Sequence, residues 1–99
     1  MARKFQIFRA DSSDMNLAIA LRGINVSQNV QWAAIRKAID SGLYKAIAIP
    51  ESVRGSDTAE DIFDKMNMSD EGYMTPGDII VWLDTLETTA CAPDGWFKV

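Results

Sequence analysis

The feature that most constrains this chain is a change of hydrophobic period within its second half. Ala59, Ile62, Phe63 and Met66 recur at i, i+3, i+4 and i+7, one apolar stripe on a helix. Downstream the apolar residues fall into short runs instead, "DIIVWL", "TTACA" and "WFKV", separated by "DTLE" and "PDG". Runs of four to six residues, β-branched or aromatic and bounded by turn residues, are strands joined by tight connections. A helix feeding such a series requires a sheet with a helix laid on it.

The first half repeats the theme. "KFQIFRA" predicts a strand with Phe5 and Ile7 on one face and Phe8 on the other, and "DSSD" supplies cap and turn residues. "MNLAIALRGI" is too evenly apolar for its period to separate a short strand from a turn of helix. "SQNVQWAAIRKAIDSG" predicts a helix, capped by Ser27, with Val30, Ala34, Ile35, Ala38 and Ile39 on its apolar face. Gly42 stands where a left-handed residue ends it. "LYKAIAI" predicts a second strand, closed by Pro50. Asp57 or Thr58 caps the next helix, with Glu60 or Asp61 as the capping-box partner. The 99 residues form a single domain. The expected class is α+β, with four to five strands in an antiparallel or mixed sheet and two helices.

Several function classes drop out. There is no histidine, which removes His-based triads and Cys/His zinc sites, and a single cysteine, which removes an internal disulfide and a Cys-only metal site. Cys91, between alanines in a strand, reads as a buried inert thiol. No catalytic residue, cofactor or metal is expected. No apolar run reaches the length of a membrane span, and the start lacks the pattern of a signal peptide. The expectation is a cytoplasmic protein that does not engage a membrane.

Charge is distributed unevenly. Residues 1–50 carry seven Lys/Arg and three Asp/Glu, net +4, while residues 51–99 carry three and eleven, net −8. Two opposite surfaces follow. Glu60, Asp61, Asp64, Asp70 and Glu71 form an acidic group in which Glu60 and Asp64 share a helical face. With Tyr73 and Trp96 they are the candidate partner-binding residues. Carboxylates at a helix start are also what the helix dipole favours, and a solvated acidic face is the plainer use of them. In the basic half Arg22, Arg36, Lys37 and Lys45 are the candidate nucleic-acid contacts. They are scattered, and no helix-turn-helix or RNP-type pattern accompanies them. Trp96 and Phe97 are strand neighbours facing opposite sides. Either one is an exposed interface anchor or neighbouring loops cover both.

From Tyr44 onward the order "LYKAIAIPESV", "TAEDIFDKMNM", "MTPGDIIVWLD", "TTACAPDGWFKV" resembles the YodL-like domain family of phages, plasmids and conjugative elements. The matching positions are Thr58, Asp61, Ile62, Phe63, Met66 and Asn67 in the helix, Thr75, Asp78, Ile79, Ile80 and Val81 in the strand, and Gly95, Trp96, Lys98 and Val99 at the close. The resemblance implies a mobile-element context in a bacterial host and brings no catalytic residues. The expected role is a non-catalytic binding protein that docks on a host protein or protein complex. It would act as an inhibitor of a defence or nucleic-acid-processing enzyme, an anti-CRISPR or anti-restriction candidate, by steric or electrostatic blockade. The alternative is a nucleic-acid-binding accessory protein using the basic half, and self-association into a homodimer is left open.

Overall fold

A computed structural model describes residues 4–10, 12–49, 58–68, 74–93 and 95–99. Five strands, β1 (Phe5–Ala10), β2 (Tyr44–Ala46), β3 (Ile79–Trp82), β4 (Thr88–Ala92) and β5 (Gly95–Lys98), form one sheet in the order β2-β1-β3-β4-β5. Every neighbouring pair is antiparallel. Three helices, α1 (Met15–Arg22), α2 (Gln28–Asp40) and α3 (Ala59–Met68), complete the small α+β domain.

Strand alternation divides the core in two. Ile7, Ile80, Trp82 and Cys91 point to one face, where Ile62 and Met66 of α3 cover them. Ala10, Ile79 and Ala90 point to the other, under Leu21 of α1 and Ala34, Ile35 and Ala38 of α2. The sheet is therefore sandwiched, with α1 and α2 on one side and α3 on the other. Trp96 packs toward the α3 side and Phe97 toward the α1–α2 side. Neither aromatic is exposed; each is half-buried on its own face.

The helix ends are set locally. Ser27 Oγ accepts from Val30 N–H at 3.3 Å. Gly42, at φ 70°, closes α2, with Gly42 N–H donating to Ile39 O and Leu43 N–H to Ala38 O. Thr58 caps α3: its Oγ1 accepts from Asp61 N–H at 3.2 Å, and Asp61 Oδ2 accepts from Thr58 N–H at 3.4 Å, while Asp57 lies outside the described residues.

Three expectations need correction. There are three helices, because "MNLAIALR" is helical: Asp14 caps it and Gly23, at φ 71°, ends it as Gly42 ends α2. Its period was hidden because Met15 and Ile19 are apolar yet exposed, while Leu21 is core. On α2 the buried stripe is Gln31, Ala34, Ile35 and Ala38, and Val30 is 47% exposed. Gln31 replaces Val30 because its amide has main-chain partners inside, donating to Leu21 O at 3.0 Å and Cys91 O at 3.3 Å. The second strand is also shorter than "LYKAIAI", although Ile47 N–H still bonds Ile7 O.

Candidate functional site

The two halves of the chain meet at Asp78. Its side chain is fully buried. The register that pairs Phe8 with Ile79 sets Arg9 directly across from it. Arg9 donates Nη2–H to Oδ2 at 2.9 Å and Nε–H to Oδ1 at 3.1 Å, a two-pronged grip. Arg22, at the last turn of α1, donates Nη1–H to Oδ1 at 3.4 Å, to Thr75 Oγ1 at 3.1 Å and to Pro76 O at 3.0 Å. Its Nη2–H reaches Ala10 O at 3.2 Å. Thr75 N–H donates to Oδ2 at 2.9 Å, which ties the turn ahead of β3 to the same carboxylate. Beside it the Tyr44 hydroxyl donates to Gly77 O at 2.6 Å. Burial and the Asp78 charge push the Tyr44 phenol well above its usual range. The same two causes, burial first, push the Cys91 thiol up to about 12. The cluster joins β1, α1, β2, β3 and β4, and no buried side-chain nitrogen or oxygen among the described residues lacks a partner. It is a structural knot.

Arg22, a candidate nucleic-acid contact, spends these hydrogen bonds on the knot. Asp78, counted in the acidic half, is neutralised by arginines from the front of the chain.

The surface that remains lies where α3 crosses β4 and β5. Successive turns of the capped helix present Glu60, Phe63 and Asp64. From below, β5 raises Trp96 against Phe63, ring centroids 6.1 Å apart and nearly perpendicular at 86°. That edge-to-face contact holds the helix over the strand. Glu60, Phe63, Asp64, Cys91, Pro93 and Trp96 are among the residues lining an open groove of about 540 Å³. Glu60 and Asp64 are exposed at its rim, and the Cys91 thiol, itself buried, lies at its base.

Three of the seven candidate partner-binding residues, Glu60, Asp64 and Trp96, thus share one feature. Asp61 does not join them; its carboxylate closes the capping box. Asp70, Glu71 and Tyr73 lie outside the described residues. Among the described carboxylates of the acidic half, Asp78 is buried and Asp84 and Glu87 belong to the β3–β4 connection, so only Glu60 and Asp64 line the groove.

The basic candidates are more divided. Arg36 and Lys37 are exposed on α2. Lys45 is the cross-strand neighbour of Arg9 and therefore faces the α3 side of the sheet. With Arg9, Gly42, Leu43 and Ile47 it lines a second groove of about 420 Å³. The sheet separates Lys45 from Arg36 and Lys37.

Among the described residues no group of three or more His, Cys, Asp or Glu is placed to hold a metal ion. None of their helices is long and apolar enough to cross a membrane. Comparison with protein-family models, with curated proteins and with solved structures finds no match.

Proposed function

We propose that this protein is a non-catalytic binding protein of a phage or other mobile element. It docks on a Lys/Arg-bearing part of a host protein or protein complex through the groove between α3 and β5. Occupation of that basic element blocks it by steric and electrostatic means, without turnover. The observation that carries the reading is the convergence of Glu60, Asp64 and Trp96 on one groove. Carboxylates at a rim steer and select a cationic partner, and aromatic side chains beneath them are favoured anchors. The buried Cys91 thiol, its ionisation pushed up to about 12, is unsuited to nucleophilic chemistry and serves as packing. The mobile-element context comes from the YodL-like order of motifs.

The test is affinity capture from a bacterial lysate with the parent chain and with a Glu60→Lys/Asp64→Lys double variant. Both positions are exposed, and circular dichroism of the variant against the parent checks that α3 survives the charge reversal at its first turn. The expected result is a small set of proteins retained by the parent and lost by the variant. Retention of every specific partner removes the groove from the proposal. A second reading, nucleic-acid binding, draws on the exposure of Arg36 and Lys37 on α2. A mobility shift at low salt that is lost on neutralising Arg36 and Lys37 supports it in place of the first.

A further inference from the structure

The groove lies beside a sheet edge, and the chemistry of that edge deepens the reading just given, on which this inference rests. β5 is the outermost strand on its side, and among the described residues no strand lies beyond it. Its main-chain groups sort by the antiparallel register. Val99 N–H donates to Thr88 O, so Val99, and by alternation Phe97 and Gly95, turn their main-chain groups toward β4. Cys91, which faces Trp96, spends its own main-chain groups on the residues just ahead of β3: its N–H donates to Asp78 O at 2.9 Å and its carbonyl accepts from Gly77 N–H at 2.8 Å. Trp96 and Lys98 therefore direct their N–H and C=O outward, to the open edge. The side chains of these two residues lie on the α3 face of the sheet, the face that carries the groove.

We propose that an extended segment of a second protein adds to β5 as a further strand, pairing its main chain with Trp96 and Lys98. It places a Lys or Arg beside Trp96, where Glu60 and Asp64 receive the cation and the Phe63 and Trp96 rings take its methylene stem. Two residues along the same face it carries a neutral or acidic residue, next to Lys98. Main-chain bonds give such a complex its register, and the pocket beside the edge selects the side chain. Charge sets the occupant's chemistry, since the groove rim is anionic at the Trp96 end and the strand is cationic at Lys98, and area separates it from a second copy. A second copy of β5 paired about Phe97 would set its own Lys98 at the groove. A four-residue edge covers far less than the roughly 1,000 Å² of a stable interface, whereas a longer segment also fills the groove.

Panning random short peptides displayed on phage against the folded chain tests this. Enriched peptides with Lys or Arg in an alternating, extended pattern are expected. Lys98→Pro removes one outward N–H while leaving the β4 ladder intact, and should weaken those peptides by about tenfold or more. Lys98→Thr, which keeps the N–H, should not. Glu60→Gln/Asp64→Asn should weaken them independently. Equal binding to the Lys98→Pro chain, with loss on Glu60→Gln/Asp64→Asn, overturns strand addition and leaves the acidic groove standing. Binding unaffected by either change overturns both readings, and failure to enrich any basic extended peptide overturns the inference. Light scattering that shows a dimer, made monomeric by Lys98→Pro, assigns the edge to a second copy and likewise overturns it.

Discussion

Replacing Asp78 by Asn keeps the side-chain shape and removes the charge on which two arginines converge. The carboxylate accepts from Arg9, Arg22 and Thr75, every neighbour it meets being a donor. An amide has a single acceptor oxygen, so its NH2 must face either the Arg22 side or the Thr75 N–H and Arg9 Nη2–H side. In either orientation donors oppose donors in a place that water does not reach. Removing one member of a buried ion pair costs about 3–5 kcal/mol. The Arg9 and Arg22 side chains remain 20% and 27% exposed and regain some hydration, so the low end applies, about 3 kcal/mol. In a domain of this size each kcal/mol moves the thermal midpoint by about 4–8 °C, so the Asp78→Asn melt should fall by about 15 °C. The assay is thermal and urea unfolding followed by tryptophan fluorescence, with the urea slope unchanged if the same surface is exposed. The loss should persist in high salt, because a desolvated pair is screened little. A midpoint within about 4 °C of the parent would refute the reasoning and make the knot no more than an exposed ion pair.

Two further outcomes test the same region. Gly77 sits at φ 97°, and a Cβ there would lie 2.4 Å from Leu21 O, whereas at Gly42, φ 70°, nothing stands within 4 Å. Gly42→Ala should cost only left-handed strain, about 1 kcal/mol, and Gly77→Ala clearly more, since α1 must shift away from the turn; equal costs in urea unfolding would contradict the close approach. The Tyr44 and Cys91 ionisations are both raised by folding, so the unfolded chain releases their protons first. Their contribution to stability is complete below pH 9, the ordinary thiol value here, and drains away as the pH climbs through about 12. Denaturant midpoints should fall over that range, less steeply in Cys91→Ala, and a midpoint flat across it would refute the assignment.

Much of the secondary structure was legible because its signals are local. The Ser27 cap, the Gly42 close and the α3 stripe each act within a turn or two of helix, so spacing alone located them. Where apolar residues served both core and surface, as Leu21 and Ile19 do in α1, spacing had nothing to distinguish. Gln31 was missed because a polar residue in a buried stripe is tolerable only with main-chain partners, and those come from Leu21 and from Cys91, 60 residues away.

The sequence by itself determined the α+β class, the cap and close of α2 and the excess of carboxylates after residue 50. Which carboxylates face outward was decided by strand register and by the packing of α3. Register set Arg9 across from Asp78, 69 positions along the chain, and consumed both charges inside. Packing carried Glu60 and Asp64 to Trp96 while Asp61, one residue from Glu60, turned back to its helix cap. A carboxylate's role depends on what the folded chain brings within a few ångströms of it, and short-range pattern does not carry that information.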